Sequence, residues 1–302
     1  MNLLVIVVTY NAMQWAERCF DSLQHSTIKP DVYVVDNGST DGTQLYIQNH
    51  YPNVRFYQSN TNLGFGKANN IGLQYALNND YEYVYLLNQD AWVMEDTFEK
   101  LVEFSKQYPE YGILSPFQMN SDLYHIDNNF VAGVCSWYSN NDIFSDIYNG
   151  KTQHIYRVPV VMAAHWFLTR RCIETVGGFS PSFVHYSEDD NYCDRTNYHN
   201  IFIGIIPSLT VVHDRSLRTN THKKDIYLSY TESIRVISCP GTNKYDSMFS
   251  CILYITYISF KNARKYCSLL PIKYGVNLLR NIKNIHHNRM ISKNIKCSFL
   301  SY

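Results

Sequence analysis

The chain has 302 residues, of which 45% are hydrophobic, so it can bury a sizeable core as one large domain with an appendage. Its 26 basic and 26 acidic residues give a formal net charge of zero, and we expect no nucleic-acid partner. The eight cysteines lie far apart without a Cys-x-x-Cys pair, and the first residues are typical of a buried strand rather than a secretion signal. We therefore expect reduced thiols and a cytoplasmic protein.

Seven apolar, β-branched or aromatic runs bounded by turn residues predict strands, at 3–9, 32–35, 54–57, 83–87, 113–115, 158–162 and 201–206. The runs are near-continuous, as in strands that are covered on both faces. Stretches with helical spacing separate the first four runs, at 12–24, 43–49 and 67–77. This alternation predicts a Rossmann-like, mostly parallel α/β sheet flanked by helices.

Polar residues follow the first strand, at the edge where ligands bind in such sheets. These residues are Thr9, Tyr10 and Asn11, and none of them is glycine. A Walker loop or a dinucleotide fingerprint needs glycines at this point so that the backbone can approach phosphate. ATPases and Rossmann dehydrogenases are therefore disfavoured.

The second strand ends in Asp36, which a tight turn follows. Its carboxylate can accept a hydrogen bond from the ring N–H of uracil or thymine, although an ordinary strand-to-helix turn has the same pattern. The segment 60–72 then places small residues before a helix, so that backbone can come close to a ligand. A plain glycine-rich loop is the alternative for that segment.

Asn88, Gln89 and Asp90 follow the fourth strand, where a carboxylate can hold Mg²⁺ or Mn²⁺ against a diphosphate. A charged loop without a ligand is the alternative. His213 ends a later apolar run, and a lone histidine is more often structural than functional. Trp166, next to His165, can stack on a pyranose face or fill the core.

Three consecutive acids, Glu188, Asp189 and Asp190, follow Ser187. Ser187 can cap a helix, and acids in the first turn interact favourably with the helix dipole. Helix capping alone needs fewer acids than this. Crowded like charges raise the pKa of at least one carboxyl, which suits a proton acceptor.

Together these segments resemble the family 2 glycosyltransferases over residues 3–215, particularly the rhamnosyltransferase-like branch that acts on bacterial surface polysaccharides. The resemblance implies a GT-A fold, with Asp189 as the catalytic base and a Mn²⁺ or Mg²⁺ ion on Asp90 and His213. It places the nucleotide-sugar against Thr9, Tyr10, Asn11, Asp36, Asn62, Gly64, Lys67, Asn69, Asn88 and Gln89. It places the acceptor or sugar pocket against His165, Trp166, Glu188 and Asp190. Asn88 stands at the first position of a D-x-D-like triplet in place of Asp, a variant that the branch often shows, and Asn191 stands where the family usually has a second acid.

The resemblance implies a metal-dependent, inverting hexosyl transfer from a UDP- or dTDP-sugar to a glycan or lipid-linked acceptor in surface polysaccharide synthesis. A catalytically degenerate scaffold that binds sugar nucleotides is the alternative, because Asn88 and Asn191 replace acids. A nucleotidyltransferase is disfavoured, since it ordinarily needs a glycine-rich loop after the first strand.

The chain divides into a catalytic domain, 1–235, and a basic helical extension, 236–302. Within the domain we expect a nucleotide-sugar-binding half, 1–115, and an acceptor-binding half, 116–235. Residues 261–302 hold nine Lys or Arg and no acid, and the apolar run before them is too short to cross a bilayer. This composition favours contact with an anionic membrane at the inner face of the cell membrane, packing on the domain, or an oligomer contact.

Overall fold

The computed structural model describes residues 2–135, 142–215 and 221–300. Its strands are β1 (Leu3–Thr9), β2 (Asp31–Asp36), β3 (Arg55–Gln58), β4 (Tyr83–Asn88), β5 (Ala91–Trp92), β6 (Tyr111–Met119), β7 (Tyr156–Arg157), β8 (His165–Thr169) and β9 (Phe202–His213). Its helices are α1 (Met13–His25), α2 (Thr43–His50), α3 (Phe65–Asn78), α4 (Thr97–Gln107), α5 (Asn128–Val134), α6 (Ile143–Tyr148), α7 (Arg170–Val176), α8 (Glu188–Tyr198), α9 (His222–Ser238), α10 (Met248–Lys265) and α11 (Leu270–Asn294).

The strands form one mixed sheet in the order β3-β2-β1-β4-β8-β6-β9-β5, with β7 beside β9. The first four strands in the chain, β1 to β4, pair in parallel, as the sequence predicts. Strand β8 is antiparallel to both of its neighbours, β4 and β6, while β6 and β9 are parallel. The parallel half therefore presents the carboxyl ends of β1, β2 and β4 at one edge.

Strand β1 is buried on both faces, which explains its continuous apolar sequence. Leu4 and Ile6 belong to a hydrophobic cluster with residues of α3, α7 and α8. Val5 and Val7 belong to a second cluster, with residues of α1, α2 and α4. Because successive side chains of a strand point to opposite faces, the helices form two layers with the sheet between them.

One predicted strand is wrong. Residues 158–162 are irregular, and the strands on either side are the short β7 and β8. The carbonyls of Pro159 and Val161 accept hydrogen bonds from side chains of α8 and β8 instead of strand partners. Pro159 also has no N–H to give to a sheet. The apolar run therefore packs under α8 as a loop.

The segment between β6 and β7 contains the short helices α5 and α6, which place Phe130, Val134 and Ile143 in the hydrophobic core. Residues 136–141 of this segment lie outside the described residues.

Helices α9, α10 and α11 pack together around a third hydrophobic cluster, which includes Ile234, Ile255 and Leu278. Gly275 of α11 lies so close to α10 that a Cβ placed on it would be 2.0 Å from Ser259 Oγ. The predicted boundary at residue 235 falls inside α9. Among the described residues, no helix has the length and hydropathy that a bilayer crossing requires.

Candidate active site

Side chains tie the tips of the parallel strands together at the carboxyl edge of the sheet. The Tyr10 N–H donates to Gln89 Oε1 at 2.6 Å, and Gln89 Nε2 donates back to the Tyr10 carbonyl at 3.1 Å. Asn11, held at a positive φ of 51°, accepts from the Thr40 N–H through Oδ1 at 2.8 Å. The loops after β1, β2 and β4 thus form one connected surface.

Asp36 is fully buried below this surface. Its two oxygens accept five hydrogen bonds. The donors are Thr9 Oγ1, the Gly38 N–H, the Ser39 N–H, Ser39 Oγ and Gln44 Nε2. The predicted contact with a base edge is therefore not available unless one of these donors moves away. In this structure Asp36 organises the turn, and Thr9 is equally buried as its partner.

The loop before α3 brings two parts of the site together. Gly64 has a φ of 81°, and a Cβ there would lie 2.3 Å from the Val184 carbonyl oxygen. Only glycine allows this approach between the loop before α3 and the loop before α8. Asn62 and Lys67 are exposed beside it, at the N-terminal end of α3. Asn69 is buried and its amide donates to the Phe65 carbonyl, so it is not on the predicted ligand surface.

Asp90 and His213 come together because β5 pairs with the end of β9. Ala91 is opposite His213 in that pairing, and the Asp90 carbonyl accepts from the Asp214 N–H at 2.7 Å. Asp90 Oδ1 and His213 Nε2 are then 3.4 Å apart, and both side chains are almost fully buried. The register of two strands 120 residues apart in sequence thus creates the pair.

This pair fits a divalent cation. His213 Nε2 is buried and has no hydrogen-bond partner among the described residues, although it faces a carboxylate. A carboxylate and an imidazole are suitable ligands for Mn²⁺, and Mg²⁺ commonly takes one or two carboxylates with water and phosphate oxygens. Within the described ranges there is no group of three or more acidic, His or Cys ligands. Solvent and substrate oxygens would have to complete the coordination.

Asp127 is a candidate functional residue that the sequence analysis misses. It is fully buried at the start of α5, where Oδ1 accepts from the N–H groups of Asn129 and Phe130. Its Oδ2 lies 3.3 Å from His213 Nδ1 and 2.9 Å from Arg215 Nε. Burial alone would raise the pKa of Asp127, but the hydrogen bond with His213 and the charge of Arg215 lower it.

Arg215 Nε also lies 3.2 Å from His213 Nδ1, so one N–H faces two acceptors. The Asp127 carboxylate forms an ion pair with the same guanidinium, but its Oδ2 accepts no hydrogen bond among the described residues. With Nδ1 accepting from Arg215, a neutral His213 carries its proton on Nε2, which faces Asp90. A metal ion on Nε2 would need the other tautomer, with the Nδ1 proton directed at Asp127 Oδ2.

The three acids begin α8, as predicted, but Ser187 does not cap it with its side chain. Tyr186 and Ser187 have positive φ values of 69° and 64°, and Ser187 Oγ is 3.0 Å from Thr231 Oγ1 on α9. The left-handed pair therefore turns the chain sharply into the helix. Such conformations are costly for residues with a Cβ, and they concentrate at functional sites.

The acids of α8 differ in their surroundings. Glu188 is buried while Asp189 and Asp190 are half-buried. Burial, followed by the charge of Asp189, raises the pKa of both Glu188 and Asp190. The crowding of like charges predicted from the sequence is therefore the second cause of the raised pKa values, after burial.

Two adjacent residues connect Asp189 to the tip of β4. The Ala163 N–H donates to Asp189 Oδ2 at 3.4 Å, and the Ala164 carbonyl accepts from the Asn88 N–H at 3.1 Å. Asn88 is two residues from Asp90. The loop before β8 therefore links the half-buried Asp189 carboxylate to the end of β4, two residues before Asp90.

His165 and Trp166 do not line a pocket. Both are fully buried in β8. His165 bonds to Tyr85 OH and the Val212 carbonyl, and burial lowers its pKa to about 3. The Trp166 indole donates to Val161 and lies against Phe179. The placement of both residues in the acceptor or sugar pocket is therefore corrected: they support the site from the core.

Comparisons with known proteins agree on one family. The model of a family described as "Glycosyl transferase family 2" matches residues 4–168. The N-acetylglucosaminyl-diphospho-decaprenol L-rhamnosyltransferase of Mycobacterium tuberculosis is 26% identical over 252 residues, which cover 74% of this chain and 82% of that protein. The dTDP-rhamnosyl transferase RfbF of Shigella flexneri is 24% identical over 222 residues, 72% of this chain and 71% of RfbF.

Two solved structures share the fold. TarS 1-349 of S. aureus in complex with UDP-GlcNAc has a TM-score of 0.58 at 13% identity, covering 98% of this chain and 93% of that one. The mannosyltransferase PcManGT of Pyrobaculum calidifontis in complex with GDP-Man and Mn2+ has a TM-score of 0.56 at 18% identity, covering 99% and 87%. The predicted GT-A fold is thereby confirmed.

Proposed function

The chain belongs to glycosyltransferase family 2, and from this premise we propose that it transfers a hexose, with inversion, from a UDP- or dTDP-sugar to a hydroxyl of a surface glycan or lipid-linked oligosaccharide. The names of similar proteins support the two nucleotides: RfbF is a dTDP-rhamnosyl transferase, and TarS was solved with UDP-GlcNAc. The Mycobacterium tuberculosis relative, named for a diphospho-decaprenol substrate, supports a lipid-linked acceptor.

The nucleotide-sugar would lie along the connected loops at the carboxyl edge. Tyr10, Asn62 and Lys67 are exposed there, and Lys67 supplies a positive charge in the first turn of α3. The N-terminus of a helix and a lysine both favour a diphosphate. Asp36 contributes by holding the turn in shape.

Asp90 and His213 would hold the metal ion. When bound there, Mn²⁺ or Mg²⁺ supplies positive charge against the departing diphosphate. His213 would present Nε2, and Asp127 Oδ2, which lies 3.3 Å from His213 Nδ1, would accept the Nδ1 proton in the tautomer that a metal ion requires.

Asp189 would act as the base. It takes the proton of the acceptor hydroxyl while that oxygen bonds to the anomeric carbon. The bond from this carbon to the diphosphate breaks in the same step, so a nucleoside diphosphate leaves and the configuration inverts. No covalent enzyme intermediate is needed.

The observation that carries this proposal is the hydrogen-bonded path from Asn88 through Ala164 and Ala163 to Asp189. It links the proposed base to the strand end that leads to the proposed metal ligand Asp90, and a one-step displacement needs both groups at one site. The degenerate scaffold finds no comparable support, because Asp90, His213 and Asp189 are all present.

A donor panel tests the proposal. The full chain would be incubated with Mn²⁺ and with UDP-, dTDP- and GDP-sugars, and thermal stabilisation and released products would be measured. We expect one UDP- or dTDP-sugar to stabilise the protein and to release nucleoside diphosphate slowly, and a chelator to stop the release. Release of pyrophosphate would identify a nucleotidyltransferase, and binding without turnover would identify a scaffold.

A further inference from the structure

Helix α10 exposes an apolar face to solvent. Phe249, Leu253, Tyr257 and Phe260 are 69%, 54%, 63% and 62% exposed. Their spacing of four, four and three residues places them on one side of the helix, and we call this set the outer face of α10. A contiguous run of exposed large apolar side chains is unusual on a soluble surface and marks an interaction site.

The opposite side of α10 is already packed. Cys251, Ile255, Ser259 and Asn262 are buried against α9 and α11, and Gly275 brings α11 close to Ser259. The orientation of the helix is therefore fixed by its own fold, and the outer face cannot turn inward without breaking that packing.

The chain from α10 onward carries charge of one sign. Asp246 is the last acidic residue of the sequence, and it pairs with Arg289 and Lys293. Beyond it, seven further cations are exposed, namely Lys261, Arg264, Lys265, Lys273, Arg280, Lys283 and Lys296. Lys261 lies 5.8 Å from the Tyr257 ring, at the edge of the outer face. Apolar and cationic groups are thus adjacent on α10.

We infer that the outer face of α10 docks into the interface of an anionic lipid bilayer. Its aromatic and aliphatic side chains enter the headgroup boundary, and the neighbouring lysines and arginines meet anionic headgroups. The docking surface is argued without the proposed function. Only its purpose, to bring the active site to a lipid-linked acceptor, rests on that function.

A second copy of the chain fits this surface less well. A two-fold contact would bring the same patch of each copy together. The cations beside each outer face would then repel one another without a compensating acid. An anionic bilayer offers the complementary charge.

Vesicle binding of the full-length protein tests the inference. The probes are vesicles of phosphatidylcholine alone and of phosphatidylcholine with phosphatidylserine in a ratio of about 7:3. The test variant replaces Phe249, Leu253 and Phe260 with Gln; Leu45→Gln, at an exposed leucine on α2, is the matched control. Lys261→Glu with Lys265→Glu is a second variant that keeps the outer face and reverses the charge.

We expect the wild type and Leu45→Gln to pellet with the anionic vesicles, and salt to weaken that binding. Both test variants should bind at least about tenfold more weakly, with unchanged circular dichroism. Equal binding by wild type and both variants, or no preference for anionic vesicles, would overturn the inference. So would a wild-type dimer that the triple variant converts to monomers without any vesicle binding.

Donor hydrolysis without vesicles separates this inference from the proposed function. The triple variant should hydrolyse the donor at the wild-type rate, because the outer face is outside the active site. Normal vesicle binding by a wild type that turns over no donor would reject the proposed function and leave the docking surface in place.

Discussion

Buried carboxylates in this protein differ in how completely they are hydrogen-bonded. Asp36 accepts five hydrogen bonds, whereas Glu188 Oε2 is buried without a hydrogen-bond partner in the described part of the chain. A saturated carboxylate is stable where it is and has little capacity for a ligand. A buried carboxylate oxygen without a hydrogen bond lowers the stability of the fold, so its presence needs another explanation. This difference supports the proposed role of the first turn of α8, whereas the Asp36 carboxylate stabilises its turn.

Replacing Asp189 with Asn tests the base. The substitution preserves size but removes the proton acceptor, so we expect kcat to fall by about 10²-fold or more. The dissociation constant of the donor should stay within about twofold, because Asp189 would contact the acceptor. Single-turnover rates and donor titrations measure the two quantities, with Glu103→Gln as an exposed-acid control. Lost donor binding with turnover retained would remove Asp189 from this role.

Replacing Asp127 with Asn tests the orientation of His213. Asn is as good a helix N-cap as Asp, so α5 should remain intact. The neutral amide no longer fixes the Nδ1 proton of His213, and we expect Mn²⁺ affinity to fall by roughly tenfold or more. Electron paramagnetic resonance of free Mn²⁺ measures this without any turnover. Unchanged Mn²⁺ affinity with unchanged stability would contradict the role of Asp127.

At the scale of elements, the first turn of α8 concentrates three acids in a partly desolvated position. The pKa of Glu188 is raised in the folded chain, first by burial and then by Asp189, above about 4.3 for an unfolded chain. The folded state therefore holds this proton more tightly. The stability that comes from the protonated Glu188 carboxyl is complete below the pKa of the unfolded chain. It is lost as the pH rises through the pKa of the folded chain.

Glu188→Gln should consequently be more stable than the wild type in alkaline solution. We expect its Tm to exceed that of the wild type by several degrees at about pH 9 and to match it at about pH 4, below the unfolded pKa. Melting curves across this pH range provide the measurement, with Glu103→Gln as the control. A Tm difference that is the same at both pH values would show that the pKa of Glu188 is not raised in the folded chain.

The elements that the sequence predicts correctly are those with a clear period or a buried run. The apolar spacing in 12–24 and 67–77 leads to α1 and α3, and the continuous run 3–9 leads to β1. The run 158–162 is just as apolar, but its carbonyls serve α8 and β8, which no local pattern reveals. Strand β5 has only two residues, too few for any periodic signal.

The residues of the candidate site also divide into those that a local sequence pattern indicates and those that it does not. The positions of Asp90 and Asp189 are predictable, because Asp90 follows the apolar run 83–87 and the acids at 188–190 are typical of the first turn of a helix. Asp127 lies in an irregular segment and reaches His213 only through the pairing of β6 with β9. His165 and Trp166 illustrate the reverse error, since a polar or aromatic pair in a short strand cannot be distinguished from a pocket lining without its burial.

Across the whole molecule, the chain beyond α11 returns to the catalytic domain. The Ser298 carbonyl accepts from the Gly178 N–H at 2.8 Å, and Ser298 Oγ donates to the Val176 carbonyl at 2.8 Å. Arg195 is fully buried beside this contact and donates to the Val176 and Gly178 carbonyls. The helical extension is therefore anchored at both of its ends.

Gly177→Ala tests that anchoring. A Cβ on Gly177 would lie 2.0 Å from the Ser298 carbonyl oxygen, and its φ is 87°. Gly150 is the matched control, because its φ is also positive, at 65°, and a Cβ there has nothing within 4 Å. Gly177 has a ψ of −149°, a region that is essentially restricted to glycine, so alanine there adds backbone strain to the close contact, whereas Gly150→Ala bears only the cost of a positive φ.

We expect Gly177→Ala to unfold with about 2 kcal/mol less stability than Gly150→Ala, measured by chemical denaturation. Equal losses in the two variants would mean that the segment near residue 298 yields easily and contributes little to the fold.

The anchoring of residues 297–300 also sets an order in time. The hydrogen bond between Ser298 and Val176 joins residues 122 positions apart. At about 5 to 20 residues per second, the ribosome makes the covering segment roughly 6 to 24 s after the segment that it covers. During that interval the surroundings of Gly177, Gly178 and Arg195 are incomplete on one side. In the nascent chain this side of the catalytic domain therefore stays uncovered until the C-terminal segment has been made. Slower translation lengthens that interval.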